Sequence, residues 1–221
     1  ERPLYDSRTF LKSASDTRNG FSGQKKYISD ALILERALLD DSLDPGLKSR
    51  YTFYLAQSYR DAAMHERSII AYRQRAELGG WEEEVYYSKY MVARLRVVLK
   101  HDEEDVVNEF LKAWEYRPSR VDALFDLIIY LRDKQRFALA WALVSIGVKI
   151  PPTTDSLFVR SDVQQWRMLD EYSILAARTG NKGEAIRAAK TLIESPLASQ
   201  LIPENERERI AKNLIEFEKL P

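Results

Sequence analysis

The sequence predicts an all-α fold, a right-handed α-solenoid of consecutive helix–turn–helix pairs. Apolar residues recur at helical spacing along most of the chain, and short breaks with Gly or Pro separate the periodic segments. Only eight Gly and eight Pro occur in 221 residues, which is little turn material for an all-β protein. An internal repeat is the third observation: Val106 aligns with Ala140, Phe110 with Val144 and Pro118 with Pro152. The three observations together favour stacked helices.

The elements follow in chain order. Residues 1–23 show no sustained period and predict an irregular linker or the tail of an upstream domain. From Lys25 the helical spacing of Tyr27, Ala31 and Leu34 predicts the first helix of a superhelix over 24–221. Four predicted pairs follow: Leu47–Ala62 with Glu66–Leu78, Glu82–Lys100 with Glu103–Tyr116, Val121–Lys134 with Phe137–Lys149, and Asp162–Thr179 with Glu184–Glu194. A last helix, 203–219, predicts the polar C-terminal cap that a helical stack needs.

The repeat has an offset of 34 residues, which is the tetratricopeptide period. Ser68 and Ala185 take the place of Ala140 in other pairs, once the longer corners between helices are allowed for. Small residues at this place let the two helices of a pair approach closely. Each pair has too little core alone, so we expect it to stack on its neighbours.

Composition limits the classes of partner. Lys plus Arg and Asp plus Glu number 34 each, so the balanced charge argues against nucleic acid or an anionic membrane. The chain has no cysteine, which excludes disulfides and fits a cytoplasmic protein. The longest apolar run, Phe137–Val148, is too short to span a bilayer and is compatible with burial or with dimerisation. Because the chain begins with Glu, we expect a fragment of a longer protein.

The two histidines are the candidates for a catalytic or metal-binding site. His65 and His101 fall at equivalent corners of successive pairs, about one repeat apart, so we do not expect them to meet. A metal site needs converging ligands, and a general base needs an orienting partner. We therefore predict no catalytic residue, no metal site and no cofactor.

An aromatic region covers the first two pairs: Tyr54, Tyr59, Trp81, Tyr86, Tyr87 and Tyr90. Aromatic side chains with polar tips suit a groove for peptide or sugar, but they also pack stacked helices, and packing is favoured for most of them. The segment "PPTTDSLFVRSD" breaks the repeat. We expect Phe158 and Val159 to tuck onto the solenoid rather than to form a lid.

The inner face of the stack is the candidate binding surface. By repeat register it takes residues from the first helix of each pair: Phe53, Gln57, Arg60, Tyr86, Lys89, Tyr90, Asp122, Phe125 and Arg132. Such a face suits an acidic or mixed peptide, or a neighbouring domain. A solvated face without a ligand is the alternative.

Several segments resemble a known kind of protein region. "YTFYLAQSYRDA", "ELGGWEEE", "FLKAWEYRPSRVDALFDL" and "ERERIAKNL" are similar to tetratricopeptide-like regions downstream of family-two glycosyltransferase domains. "KKYISDALILERALLDD" resembles the helix that links such a transferase to its repeats. The sequence departs from the pattern at Ile128, where a small residue is usual, and at Met64-His65, which replace a Gly-containing corner. The metal-binding acidic motif of the transferase domain is absent from the sequence.

The resemblance implies a non-catalytic scaffold or recognition region in the C-terminal part of a glycosyltransferase-type protein. Its expected partner is a protein, a peptide or an upstream catalytic domain of the same polypeptide. A free-standing tetratricopeptide adaptor without an enzyme is the alternative. An enzyme with its own site in these residues is disfavoured because no nucleophile–base pair or metal spacing occurs.

Overall fold

The computed structural model describes residues 21–221, with side chains from Gly23 onward. These described residues form eleven α-helices, one π-helical turn and no β-strand. The helices are α1 (Phe21–Ala37), α2 (Pro45–Asp61), α3 (His65–Glu77), α4 (Glu82–Val98), α5 (Glu103–Tyr116), α6 (Asp122–Asp133), α7 (Phe137–Gly147), α8 (Met168–Arg178), α9 (Lys182–Glu194), α10 (Ala198–Leu201) and α11 (Glu204–Lys219). The predicted all-α fold class of consecutive helix–turn–helix pairs is confirmed.

Most predicted helix ends agree with the structure within two residues, and larger differences occur at three places. Helix α1 begins at Phe21, so residues 21–23 belong to a helix and not to the predicted irregular segment. The rest of that segment, 1–20, lies outside the described residues. The helix predicted over Asp162–Thr179 begins with a π-helical turn, Val163–Arg167, before α8. The short helix α10 was not predicted.

The described chain divides into two compact units. The α1–α5 unit contains residues 21–117 together with Asp155–Phe158, and each of its helices packs on the next. The α6–α11 unit contains Pro118–Thr154 and Val159–Pro221, where α6 packs on α7, α7 on α8, α8 on α9 and α9 on α11. One superhelical domain over 24–221 stays a prediction.

The corners inside the four pairs share one backbone geometry. Ala63, Lys100, Gln135 and Gly180 all have positive φ, between 56° and 80°. After each of them, the next amide donates to a carbonyl five residues earlier, as Met64 N does to Tyr59 O at 2.8 Å and Asn181 N does to Ala176 O at 2.8 Å. This is the Schellman motif, which usually has glycine at the positive-φ position. Only one of the four corners has that glycine.

The predicted small positions lie in the interior of the helix pairs. Ser68, Ala140 and Ala185 are completely buried. Ser68 Oγ donates to the Ala56 carbonyl at 2.7 Å, so a backbone of α2 lies against a side chain of α3. Ile128, the large residue at an expected small place, is also completely buried. The core of each unit therefore follows the repeat.

Helix α11 ends the α6–α11 unit. Its Ile210 and Phe217 are buried in a cluster with residues of α8 and α9, including Ile174 and Ala189. The acidic and basic residues of "ENERER" are exposed or half-buried on its other side.

Candidate functional site

Six of the nine predicted face residues are buried in the described structure: Phe53, Tyr86, Tyr90, Asp122, Phe125 and Arg132. Their assignment to an open surface needs correction, because their side chains pack or pair inside their own units. They can shape a binding face from beneath, but they do not form the surface that a ligand would meet.

In the α1–α5 unit the buried face residues belong to an aromatic cluster. The Phe53 ring lies 6.2 Å from Tyr72 and 5.9 Å from Tyr87, both edge to face. Tyr90 lies 6.1 Å from Tyr86, nearly parallel. Packing thus accounts for most of the aromatic region, since edge-to-face and offset arrangements stabilise aromatic pairs. Trp81 and Tyr54 are the exceptions, with exposed fractions of 52% and 43%.

In the α6–α11 unit the three predicted residues are held by charged neighbours. Asp122 pairs with Arg120 at 2.9 Å and accepts the backbone N–H of Arg160 at 3.0 Å. The Arg160 guanidinium lies 5.4 Å from the centre of the Phe125 ring. Arg132 pairs with Glu171 at 2.6 Å. Each of these residues stabilises the interior of its own unit.

Gln57, Arg60 and Lys89 remain accessible, and all three belong to the α1–α5 unit. Arg60 Nη1 donates to the Tyr87 hydroxyl at 3.1 Å, and Arg60 Nε donates to Asp61 at 2.8 Å. Burial opposes the charge of Arg60, but Tyr72, followed by Asp61 and Tyr87, outweighs it and raises the pKa of Arg60 above its ordinary value. The side chain is therefore a fixed cation. The concave face stays a prediction, now limited to these three residues.

A groove of about 440 Å³ lies beside Gln57, between α1 and α2. It is lined by Tyr27, Asp30, Ile33, Leu34, Tyr54, Gln57, Ser58 and Asp61. Ile33 is 61% exposed there. Sequence reasoning missed the contribution of α1; the available signal was Ile33, an apolar residue outside the stripe of Tyr27, Ala31 and Leu34.

A second feature of the α1–α5 unit is a non-helical segment, Asp155–Phe158, bound against α4 and the end of α5. Arg117 Nε and Nη2 donate to the two carboxylate oxygens of Asp155 at 2.6 and 2.5 Å. The Glu83 carboxylate accepts the backbone N–H groups of Ser156 and Leu157 at 2.8 and 2.7 Å. Asp155, and after it Glu82, raise the pKa of Arg117.

The segment ends on an aromatic contact. The Phe158 ring lies 4.7 Å from Tyr87, tilted by 41°. Phe158 keeps half of its surface exposed and has a φ of 49°. It therefore packs on the unit as predicted, while Val159 is half-buried in the other unit.

The two histidines lie at corners, as predicted. His65 begins α3 and is half-buried, and no residue that the structure describes provides a hydrogen-bond partner for its Nδ1. His101 Nε2 lies 3.4 Å from Glu66, so each histidine has a different environment. Within residues 21–221, no group of three or more His, Asp or Glu side chains converges in a way that could hold a metal ion.

None of the helices that the structure describes is both long enough and apolar enough to cross a membrane. Helix α7, which carries the apolar run, has 11 residues.

The fold is similar to that of a solved protein. The crystal structure of YrrB, a TPR protein with an unusual peptide-binding site, superposes with a TM-score of 0.52 and 15% sequence identity. The match covers 93% of this chain and 98% of that chain. At this identity the similarity establishes a tetratricopeptide-like helical-repeat fold, and it does not concern glycosyltransferases. No family model matches the sequence, and no curated protein matches it.

Proposed function

We propose that this chain is a non-catalytic helical-repeat scaffold that binds short, non-helical protein segments on its α1–α5 unit. One observation carries the proposal: the unit already holds a non-helical segment, Asp155–Phe158, through side chains of α4 and the end of α5. A surface that binds one such segment has the chemistry to bind another.

The contacts correspond to three elements of peptide recognition. Arg117 reads an acidic side chain through two parallel hydrogen bonds, which gives the pair a defined geometry. Glu83 captures two successive backbone N–H groups and does not depend on the side chains there. Tyr87 supplies an aromatic platform for a ring. The preferred partner is therefore a peptide with an acidic residue three positions before an aromatic one.

The accessible face residues extend this surface. Arg60 donates to the Tyr87 hydroxyl on the same unit, and Lys89 lies 5.4 Å from the Tyr116 ring. The α1–α2 groove beside Gln57 adds exposed apolar area at Ile33. YrrB, which has a similar fold, is described as having a peptide-binding site, and this supports a peptide partner here.

A finer proposal concerns the parent protein. Following the resemblance of its segments, we infer that the chain is the C-terminal, cytoplasmic part of a glycosyltransferase-type protein and forms one superhelical domain over 24–221. It would then contact an upstream catalytic domain of the same polypeptide. The alternative is a free-standing adaptor without an attached enzyme. Sequencing the gene upstream of Glu1 distinguishes them, because only the first hypothesis requires a nucleotide-sugar domain there.

The peptide proposal is tested with the chain's own segment as a labelled ligand. A fluorescent peptide of residues 153–160 is titrated into the wild-type chain and into the double variant Asp155→Ala/Phe158→Ala. The tethered segment has an effective concentration on the order of millimolar, so it competes strongly in the wild type. We expect the double variant to bind the peptide more tightly, in a fluorescence-anisotropy measurement.

Two controls make the result specific. A peptide with Asn at the position of Asp155 and Ala at the position of Phe158 should bind weakly to the same double variant. Adding Arg117→Ala, which removes the partner of the acidic position, should abolish binding without changing the helical circular-dichroism spectrum. Equal binding of both peptides, or no binding to the double variant, would contradict the proposal.

A further inference from the structure

A separate cavity of about 430 Å³ lies in the α1–α5 unit, beside the start of α2 and the corner between α3 and α4. Its walls combine two arginines, a glutamate, two aromatic rings and the Gly79–Gly80 backbone. The side chains are Arg50, Tyr54, Arg75, Trp81 and Glu84. The volume is within the range of small-molecule sites, which bind ligands through a few convergent polar groups.

Arg75 is an exception to the repeat. It lies seven residues after Ser68, and the same place after Val106, Ala140 and Ala185 holds Ala113, Gly147 and Leu192. All four positions are buried, and Arg75 is only 1% exposed. The other pairs show that the helix packing itself requires no charge at this place. A buried arginine there carries a desolvation cost that an apolar residue would avoid.

Arg75 is held in one orientation. Its Nε donates to Glu84 Oε2 at 2.5 Å, and its Nη1 donates to the Gly79 carbonyl at 2.7 Å. Among the described residues, Arg75 Nη2 and Glu84 Oε1 have no protein partner. Both residues line the cavity, so the pair offers it one donor group and one acceptor group, and the bond between Arg75 and Glu84 pre-organises both side chains.

This combination selects a class of ligand. An anion that approaches Arg75 also meets the Glu84 carboxylate, and a cation that approaches Glu84 meets Arg75 and Arg50. A neutral ligand with two neighbouring hydroxyl groups satisfies both, because each hydroxyl can donate or accept. The adjacent charged groups would make these hydrogen bonds stronger than neutral ones.

The aromatic walls add a second requirement. Trp81 and Tyr54 keep about half of their surface exposed, although both line the cavity. Arg50 fixes the Tyr54 ring: its guanidinium lies 5.5 Å from the ring centre, and its Nε donates to the hydroxyl at 3.2 Å. Flat apolar faces beside polar groups suit a ligand that has a C–H face as well as hydroxyl groups.

We propose that this cavity binds a hexopyranose unit, with vicinal hydroxyl groups on Arg75 and Glu84 and its C–H face on Trp81. The proposal depends on neither the bound segment Asp155–Phe158 nor the resemblance to glycosyltransferase-associated regions. A free saccharide and the terminal unit of a glycan share this chemistry. The reducing sugar represents the first source and its methyl glycoside represents the second.

The test uses the full chain and the pyranoses of glucose, galactose, mannose and N-acetylglucosamine, each as reducing sugar and as methyl glycoside. Saturation-transfer-difference NMR measures binding, and the Trp81 indole N–H signal of the ¹⁵N-labelled chain reports the place. We expect at least one sugar to bind saturably and to shift that signal. Tighter binding of the methyl glycoside would identify a glycan end, and tighter binding of the reducing sugar would identify a free saccharide.

Matched variants distinguish specific binding of the sugar in this cavity from non-specific binding. Trp81→Ala should weaken binding about tenfold, which corresponds to roughly 1.4 kcal/mol for the lost contact with the aromatic face. Tyr116→Ala removes a similarly exposed aromatic ring outside the cavity and should leave binding unchanged. Glu84→Gln keeps the shape of the side chain and should also weaken binding. Absence of saturable binding, equal losses in the two aromatic variants, or displacement of the sugar by sodium acetate would overturn the proposal.

Discussion

Arg132 and Glu171 form a buried two-point ion pair between α6 and α8: Arg132 Nη1 lies 2.7 Å from Oε1 and 2.6 Å from Oε2 of Glu171. Their side chains are only 7% and 3% exposed. Burial raises the pKa of Glu171 to about 7, although Arg132 acts against this shift and Asp170 adds to it. A residue predicted to face a ligand is thus part of a titrating interior pair.

The pair predicts a pH dependence of stability. Between pH 4.5 and 7 the folded chain retains a proton on Glu171 that the unfolded chain has released, so the free energy of unfolding falls as pH rises through this window. Glu171→Gln removes this titration. We expect the free energy of unfolding of the variant, relative to that of the wild type, to be higher at pH 8 than at pH 5. The expected change is on the order of 1–3 kcal/mol. Urea unfolding at both pH values measures it.

Glu194→Gln, an exposed change in the same unit, is the control and should leave the slope of the free energy of unfolding against pH unchanged. If Glu171→Gln has the same slope as the wild type, the assignment is contradicted.

Charged partners one repeat apart recur within each unit. Arg132–Glu171 and Arg209–Asp170 are each separated by 39 residues, Arg117–Asp155 by 38 and Arg73–Glu109 by 36. The sequence contains this information, because oppositely charged residues recur at about the repeat length. Taken helix by helix, however, the same charges predict a solvated face, since charged side chains on a helix are usually solvated. Which charged side chain is buried depends on the partners that the neighbouring helix supplies, and the pattern of a single helix does not contain that information.

The corner at Ala63 gives a stability prediction. Its φ of 59° is unfavourable for a residue with a Cβ, and the side chain is exposed. We expect Ala63→Gly to stabilise the chain by about 0.5–1 kcal/mol. This is the net effect, because the relief of backbone strain in the folded state exceeds the entropy that glycine adds to the unfolded state. Thermal unfolding measures it. Ala62→Gly, next to it at a φ of −83°, should destabilise the chain, and a loss of stability in both variants would contradict the strain argument.

Two glycines should respond oppositely to alanine. A Cβ on Gly147 would lie 2.8 Å from Met168 Sδ, whereas a Cβ on Gly183 would meet nothing within 4 Å. We expect Gly147→Ala to destabilise the α6–α11 unit by about 1–3 kcal/mol through overpacking. Gly183→Ala in α9 should stabilise it by about 0.5–1 kcal/mol, since alanine favours helix. Denaturant unfolding of both variants checks the signs, and stabilisation by Gly147→Ala would show that Met168 moves aside without cost.

The fold was more predictable than the site. Helical spacing and the prolines at residues 118 and 152 located the helices, because these signals are local in sequence. Burial of small residues such as Ser68 and Ala140 followed from the repeat alone. Phe53 and Tyr90 were predicted on an open face but are buried. The repeat register predicts the side of the helix on which a residue lies, whereas its exposure depends on which side chains pack over that side. The bound segment Asp155–Phe158 was recognisable as a break in the repeat, but its partners Glu83 and Arg117 are distant in sequence.

The bound segment gives the last prediction. The Glu83 carboxylate accepts the N–H groups of both Ser156 and Leu157, so Glu83→Ala removes two hydrogen bonds from exposed or half-buried backbone. We expect hydrogen exchange at these two amides to become about tenfold faster, the effect of losing roughly 1.4 kcal/mol of local protection. NMR-detected exchange measures both sites. Glu104→Ala, an exposed change on α5, should leave their rates unchanged, because no hydrogen bond or ion pair joins Glu104 to this segment among the described residues. If both variants exchange like the wild type, the segment is held by Arg117 and Tyr87 without help from Glu83, and the peptide surface reduces to an acidic and an aromatic subsite.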